Sequence, residues 1–426
     1  MVESRIVPAA ICLLLTQALA HGQPVPLGPE FQVNTHTISQ QRLPAISHDS
    51  AGNFVVTWQT NGQDGSGYGV FGQRFDSSGS LVGAEFQVNS LFTSEQEFSA
   101  ISHDSAGNFV VTWQSLGQDG PSYGVFAQRF DSSASAVGAE FQVNSFTGFH
   151  QLHAKVSHDS AGNFVVTWES NQDGDSYGIF AQRFDSSGSA MGVEFQVNSY
   201  TSHVQRFPAV SHDQTGNFVV TWGSTVQDGA EYGVFGQRFA GSGSPLGGEF
   251  QVNTNASSSQ RFPVIFHDLA GNFVVTWESN GQDGDSYGIF AQRFDSSASA
   301  VGAEFQVNSH TALEQSRPAI SGVFPGGFVV TWRSNGQDGF GYGVFGQRFD
   351  SSASALGPEF QVNSSTVFGQ NYPSISHDSA GNFVVVWGRF QIDSDYDVVG
   401  RSFANPVIVT GPGSSGASKT RRYLRE

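Results

Sequence analysis

Serine, histidine and aspartate stand side by side in five copies along this chain, and these residue types can form a hydrolytic triad. The copies are 47–49, 102–104, 157–159, 211–213 and 376–378, and a related sixth segment, 266–268, begins with phenylalanine. Neighbouring residues of a strand point to opposite faces, so three consecutive side chains cannot relay a proton. An enzyme also needs one site and not five. We therefore expect a structural role, with the aspartate accepting backbone N–H bonds at a turn.

An aspartate followed four residues later by a tyrosine recurs six times, always with a glycine after the aspartate. The residues are Asp64, Tyr68, Asp119, Tyr123, Asp173, Tyr177, Asp228, Tyr232, Asp283, Tyr287, Asp338 and Tyr342. A carboxylate accepts hydrogen bonds from sugar hydroxyls, and an aromatic ring stacks on the C–H face of a sugar. The pattern predicts carbohydrate-binding loops. The alternative is an ordinary Asp-Gly turn with a packed tyrosine.

Some of these loops hold a second carboxylate, which makes calcium a candidate ligand. The candidate residues are Asp173, Asp175, Asp283, Asp285, Asp393, Asp395 and Asp397. Calcium takes roughly six to eight oxygen ligands, and none of the segments is a complete Asp-x-Asp-x-Asp-Gly loop. We expect no other cofactor, because no histidine cluster has metal-ligand spacing.

One arginine also recurs in the same sequence context. The seven are Arg74, Arg129, Arg183, Arg238, Arg293, Arg348 and Arg401. We expect each to bind a turn carboxylate or a backbone carbonyl of a neighbouring repeat. No three arginines independent of the repeat are evident, and no carboxylate pair is confined to one copy. A glycoside hydrolase or lyase with a single central site therefore remains an alternative without an evident residue set.

The elements that must position these residues belong to a tandem repeat. Glu-Phe-Gln-Val-Asn occurs seven times, at intervals of 54 or 55 residues, and each copy is followed by Gly-x-Phe-Val-Val-(Thr/Val)-Trp. In the first complete unit, alternation and Gly/Ser/Asp/Asn punctuation predict strands at 44–48, 53–59, 68–75 and 84–89. Four strands per unit, with both faces of the second strand apolar, predict an all-β fold, a seven-bladed β-propeller.

The order of the repeat pieces predicts how the ring closes. The repeat region begins with a lone fourth strand, at 30–34, and ends with the first three strands of a unit, at about 373–404. Pairing of the first strand with the last unit would remove two open sheet edges. An open row of tandem sheets would not need this offset.

The segments outside the repeat predict an exported protein. Residues 1–20 have the basic start, short apolar run and Ala-x-Ala ending of a signal peptide, and the only cysteine, Cys12, lies within them. We assign 21–28 to a short leader, 29–409 to the propeller and 410–426 to a flexible Gly/Ser-rich and then basic tail. No later apolar run could span a bilayer, so we expect a secreted, periplasmic or cell-surface protein without membrane insertion.

The charge balance restricts the partners. The chain of 426 residues has 37 acidic and 19 basic residues, a formal net charge of −18. Nucleic acid needs clustered lysine and arginine, so we expect no nucleic-acid partner. A carbohydrate or a cell-surface protein fits better, and the oligomeric state stays open.

The unit resembles repeats of exported bacterial propeller-like proteins, over about residues 29–404. The motifs that carry the resemblance are GNFVVTW, QDGxxYGVFGQRFD and GxEFQVN. The architecture is also similar to that of seven-bladed lectins, and Ser47, Asp49 and Gly52 with Thr57 and Trp58 loosely resemble an Asp-box. The resemblance implies the fold and no activity. We predict a non-catalytic, multivalent, lectin-like or cell-surface binding module; a purely structural interaction scaffold is the other alternative.

Overall fold

The computed structural model describes residues 23–229, 231–323, 326–391 and 395–405, and every regular element in these ranges is a β-strand. That part of the chain has no helix of the length and hydropathy needed to cross a bilayer. The predicted signal peptide, the start of the leader, Asp393 and the predicted tail lie outside the described residues.

The strands of the described ranges are short and evenly spaced. In chain order they are β1 (Val25–Pro26), β2 (Phe31–Gln32), β3 (Gln41–His48), β4 (Phe54–Asn61), β5 (Tyr68–Phe75), β6 (Leu81–Gln87), β7 (Gln96–His103), β8 (Phe109–Leu116), β9 (Tyr123–Phe130), β10 (Phe141–Gln142), β11 (Gln151–His158), β12 (Phe164–Ser170), β13 (Gly178–Phe184), β14 (Phe195–Gln196), β15 (Gln205–His212), β16 (Phe218–Ser224), β17 (Gly233–Phe239), β18 (Phe250–Gln251), β19 (Gln260–His267), β20 (Phe273–Asn280), β21 (Tyr287–Phe294), β22 (Phe305–Gln306), β23 (Gln315–Val323), β24 (Gly327–Asn335), β25 (Tyr342–Phe349), β26 (Phe360–Gln361), β27 (Gln370–His377), β28 (Phe383–Gln391) and β29 (Asp395–Ala404).

These strands form seven antiparallel sheets, which are the blades of a seven-bladed β-propeller, as predicted. In the first blade the order is β3, β4, β5, β6 from the centre outwards. The second strand of a blade is buried on both faces because neighbouring blades cover it on either side. Phe54 of β4 stacks on Phe75 of β5 at 4.8 Å between ring centres, and equivalent phenylalanine pairs stack in the other six blades.

The innermost strands surround a central channel. Each packs against the innermost strand of the next blade, and β27 of the seventh blade packs against β3 of the first. The apolar core is divided into clusters between adjacent blades, so that Trp113 of the second blade packs with Val55 of the first. Burial of such tryptophans, none of which is accessible, stabilises the contact between blades.

The ring closes through the N-terminal segment, which confirms the predicted closure. Phe31 of β2 pairs with Gly400 of β29, and β1 pairs with the end of the same strand. Gly400 is required here because a Cβ atom would lie 2.6 Å from the Phe31 ring. Glu30 accepts a hydrogen bond from Ser364 Oγ at 2.8 Å, and a glutamate–serine or glutamate–threonine bond of this kind joins every other pair of adjacent blades.

Every innermost strand contains a bulge near its start. In β3 the register with β4 shifts between Arg42 and Ala45, and Leu43 has a φ of +54°. The observed strand therefore begins at Gln41, three residues before the predicted start. The bulge lies at the propeller face that carries the loops between second and third strands and the loops between blades. We call this face the funnel face.

Candidate functional site

The Ser-His-Asp triplets belong to the scaffold, as predicted. The His103 amide donates to Ser47 Oγ of the preceding blade at 3.2 Å, and the His103 ring packs against Phe109. Asp49 Oδ1 accepts the backbone N–H groups of Ala51 and Asn53, both at 2.9 Å. The His212 ring also contacts the Ser157 hydroxyl at 3.0 Å, but the aspartates bind their own turns, so the triplets form no relay.

The aspartates of the six Asp–Tyr loops are bound within their own blades. Asp119 accepts hydrogen bonds from Gln142 Nε2 at 3.0 Å and Asn144 Nδ2 at 2.9 Å. The equivalent asparagine binds Asp228, Asp283 and Asp338. Burial raises the pKa of Asp64, Asp173 and Asp283. Sugar binding by these carboxylates stays a prediction.

The tyrosines of these loops lie at the funnel face, and four of them have an arginine against one ring face. The pairs, with distances from the guanidinium carbon to the ring centre, are Tyr68 and Arg42 (4.6 Å), Tyr177 and Arg206 (4.6 Å), Tyr287 and Arg261 (4.3 Å) and Tyr342 and Arg333 (4.4 Å). The Tyr123 hydroxyl instead bonds Glu97 at 3.2 Å. A covered ring offers a ligand one face at most, so these tyrosines are less available than the sequence suggested.

The calcium candidates hold neighbouring loops. Asp175 accepts the His203 amide at 2.7 Å, and Asp285 accepts the Leu313 amide at 2.8 Å. Asp395 and Asp397 accept hydrogen bonds from side-chain amides of the N-terminal segment, at 3.1 Å each. Within the described ranges no three histidine, cysteine, aspartate or glutamate side chains are placed to hold one ion. Calcium binding stays a prediction.

Five of the seven repeat-locked arginines bind backbone carbonyls of the next blade, as expected, whereas Arg348 binds the Asn405 side chain and Arg401 binds the Val362 carbonyl. Arg74 Nη1 donates to the Ser133 carbonyl at 3.0 Å, and the equivalent bonds join Arg238 to Ser297 and Arg293 to Ser352. These bonds connect neighbouring blades on the face opposite the funnel face. The recurrent residues therefore bind other parts of the scaffold. A ligand site is best sought among residues that differ from blade to blade.

The bulge of each innermost strand presents such a residue at the channel mouth. We call these seven residues the collar: Leu43, Phe98, His153, Phe207, Phe262, Arg317 and Tyr372. All have φ between +54° and +60°, and all are partly exposed. The Phe207 and Phe262 rings are 4.1 Å apart, and the Phe98 ring meets that of His153 edge-on at 4.9 Å. The collar is therefore a largely aromatic surface whose side chains differ in size, polarity and charge from blade to blade.

A side chain of the preceding blade fixes four collar residues. The amide of Phe98 donates to Gln59 Oε1 at 3.1 Å, and that of Phe207 to Glu169 Oε2 at 3.0 Å. His153 and Arg317 are held in the same way by Gln114 and Glu278. Because the bulge amide has no ladder partner, this bond satisfies a donor that would otherwise be unpaired. We call it the latch.

The remaining cations of the described chain lie near the collar. They are Arg42, Lys155, Arg206, Arg261, Arg317, Arg333 and Arg389, all on first or second strands. The expectation that no three repeat-independent arginines come together is therefore wrong. Arg317 and Arg333 both approach the Tyr372 ring, at 5.9 and 6.0 Å, and Glu278 joins Arg261 to the Arg317 amide. Sequence reasoning missed the association of Arg261, Arg317 and Arg333 because these three occupy different repeat positions.

Two buried glutamates distinguish the third and fifth blades. Glu169 binds Arg206 at 2.6 Å and His153 at 3.0 Å, and Glu278 binds Arg261 at 2.7 Å. Burial alone would raise the Glu169 pKa, but the hydrogen bonds and charges of His153 and Arg206 outweigh it and lower the pKa. A general acid needs a carboxyl that stays protonated near neutral pH, so Glu169 is unsuited to that role.

No family model and no curated protein matches this chain. Among solved structures, a protein of unknown function from Dyadobacter fermentans is similar, with a TM-score of 0.52 and 9% identity, over 88% of this chain and 97% of that one. The NanB sialidase of Streptococcus pneumoniae follows with a TM-score of 0.49 and 10% identity, over 89% and 70%. An endo-arabinase of Bacteroides thetaiotaomicron has a TM-score of 0.36 and 13% identity, over 58% and 90%.

At these identities the comparisons bear on the fold alone. The Dyadobacter structure supports the propeller architecture over nearly its whole length. The site must be argued from the residues of this chain.

Proposed function

We propose that this protein is an exported, non-catalytic carbohydrate-binding propeller and that it binds its ligand at the collar. One observation carries the proposal: all seven innermost strands hold a collar residue at positive φ, and five of the seven side chains are aromatic rings. A bulky non-glycine residue in this region carries roughly 1 kcal/mol or more of backbone strain. Such strain, repeated at one surface, is typical of a functional site.

The chemistry of the collar suits a sugar. Aromatic faces stack on the C–H face of a pyranose, and nearby arginine and amide groups can donate hydrogen bonds to its hydroxyls. The collar surrounds the single channel, so it supports about one ligand per chain. The six Asp–Tyr loops would instead support about six equivalent sites.

A glycan array with the full chain tests the proposal, run with calcium and with a chelator. We expect selective binding that Phe207→Ala and Phe262→Ala each weaken at least tenfold. Leu269→Ala is the control because Leu269 is 72% exposed between β19 and β20, on the face opposite the funnel face, and this variant should bind as the parent does. A blank array with folded protein would overturn the proposal.

Calorimetric stoichiometry then separates the two candidate sites. A value near one ligand per chain supports the collar. A value near six that falls to about five in Asp119→Asn and is unchanged in Phe207→Ala would move the site to the loops. Loss of binding in chelator would revive the calcium prediction at Asp173, Asp175, Asp283 and Asp285.

A further inference from the structure

Four arginines lie on neighbouring blades at the channel mouth: Arg206, Arg261, Arg317 and Arg333. Three of them are neutralised by a carboxylate. Arg206 binds Glu169, Arg261 binds Glu278, and Arg333 binds Glu314 at 3.0 Å. Each bond uses a glutamate that is buried or half-buried. The fourth arginine, Arg317, has no such partner among the described residues.

The Arg317 guanidinium donates no hydrogen bond to any described residue, and its Nε is buried without an acceptor. The Glu278 oxygens bind Arg261 and the Arg317 backbone amide, and among the described residues no hydrogen bond joins Glu278 to the Arg317 guanidinium. A buried donor without an acceptor is unfavourable, so the site lacks one component. An acceptor from outside the chain would supply it.

The Arg317 side chain is nevertheless well positioned. Its guanidinium carbon lies 3.8 Å from the centre of the Phe262 ring, and Tyr372 flanks it at 5.9 Å. Stacking on an aromatic face leaves the N–H groups at the edge of the guanidinium plane free for a planar acceptor. The bulge and the Glu278 latch fix the backbone of the same residue.

A second cation faces Arg317 across the channel. Lys155 lies on β11 of the third blade, two residues below the collar, and is exposed to the channel. Alanine occupies this strand position in four other blades, as Ala45, Ala100, Ala209 and Ala319. Enclosure by the surrounding strands, together with the positive charge of Arg317, lowers the Lys155 pKa. The two positive charges repel each other, and an anion bound between them would offset that repulsion.

We propose that Arg317 and Lys155 form an anion site that binds the carboxylate of an acidic sugar, such as a hexuronate; this proposal rests on the function proposed above. A planar carboxylate matches the guanidinium fork, and the sugar ring then meets Phe262 or Tyr372. The net charge of −18 repels a long polyanion from the rest of the surface, which favours a short ligand.

The test compares glucuronate and galacturonate with their methyl esters, which keep the sugar ring and remove the negative charge. We expect at least one acid to bind at least tenfold more tightly than its ester at low salt. Arg317→Phe and Lys155→Ala place residues that other blades already have, and each should abolish that preference. Arg42→Asn is the matched control, since it removes a funnel-face cation and introduces the residue of the seventh blade.

The outcomes are distinct. Equal affinity for acid and ester overturns this inference, and collar-dependent binding of neutral glycans would leave the proposed function intact. A loss of preference in Arg42→Asn as large as in Arg317→Phe would also overturn the inference. It would show that the acid is attracted by the overall positive potential of the funnel face and not by a defined site. A ligand-free readout is independent of sugar identity: Arg317→Phe should raise the melting temperature, because it removes a charge without a partner. A lower melting temperature would contradict the assignment.

Discussion

Six histidines at the ends of innermost strands are held in their neutral form. His103 is enclosed between strands of adjacent blades, and burial lowers its pKa to about 4. Burial and the nearby His377 and His103 lower the pKa of His48 to about 3. The sixth blade has Gly322 at this position, where a Cβ atom would collide with the Phe266 ring. A charged imidazole is therefore incompatible with the folded inner ring.

The propeller should lose stability in mild acid. An unfolded histidine binds a proton below about pH 6.5, whereas five of the folded ones do so only near pH 3 to 4 and the pKa of His377 is also lowered by burial. Stability is therefore complete above pH 7 and falls between about pH 6.5 and 4. From pH 7.5 to 5.5 we expect a loss of roughly 1 kcal/mol per histidine. Urea unfolding at both values measures it.

A single substitution isolates one histidine. His103→Gln should reduce the pH dependence by about one proton in that window. His203→Gln, in an exposed loop, should leave it unchanged. If the free energy of unfolding depends on pH equally in the parent and in His103→Gln, the His103 ring does not control acid stability.

Glu169 combines a latch with an ion pair, and the two roles can be separated. In Glu169→Gln the amide oxygen can still accept the Phe207 N–H, as Gln59 does for Phe98, but Arg206 loses its carboxylate. We expect a loss of about 2 kcal/mol, because breaking a buried pair leaves one charge uncompensated. Equilibrium unfolding of the single variant and of Glu169→Gln with Arg206→Leu measures it. Additive losses in the double variant would contradict this assignment.

At the scale of the element, the bulge converts an ordinary strand into a site. Residues before the bulge continue the ladder with the second strand, and the residue at positive φ leaves it and reaches the channel mouth. The latch holds this geometry in the second, third, fourth and sixth blades. The first, fifth and seventh blades have no latch among the described residues. In the blades that precede them, the latch position of the second strand is occupied by Gly388, Gly223 and Arg333, respectively.

Removal of a latch should loosen the collar locally. Gln59→Ala leaves the Phe98 amide without an acceptor, and we expect a loss of about 1–3 kcal/mol. Hydrogen exchange of the Phe98 amide should accelerate, while that of Phe262, which has no latch side chain, stays unchanged. Unaltered exchange at Phe98 would show that the bulge is stable without the latch.

At the scale of the whole molecule, we expect the weakest junction to be the one closed without a covalent link. Blade seven obtains its outer strand from β2, which has two paired residues and the Phe31 ring against Phe75 at 5.3 Å. The equivalent Phe195 packs against Phe239 at 5.4 Å within a continuous chain. Release of β2 would expose the edge of β29, which is a template for pairing with another chain.

The matched pair Phe31→Ala and Phe195→Ala tests this junction. Both create a similar cavity, and we expect each to lose about 3 kcal/mol. Only Phe31→Ala should show concentration-dependent association by light scattering, because loss of the Phe31 ring releases β2 and exposes the edge of β29. Equal association of the two variants would mean that closure is no weaker than the other junctions.

Much of the fold could be predicted because the repeat carries it. The period, the seven tryptophans and the displaced fourth strand correctly predicted seven blades and their closure. The boundaries were less accurate: the innermost strand continues across the bulge before Pro44, and the outer strand is only two residues long in most blades. Proline and glycine indicate where a regular ladder is interrupted, but not whether pairing resumes beyond it.

The sequence by itself determined the architecture, since burial on both faces of the second strand allows few arrangements other than stacked blades. It also indicated which residues recur, and these proved to bind other parts of the scaffold. Only the tertiary structure showed the collar, the latch and the unpartnered Arg317. Those features depend on the curvature of the ring, which brings Lys155 of the third blade opposite Arg317 of the sixth. Residues 162 positions apart share no local pattern, so no spacing along the chain could reveal that they face the same channel.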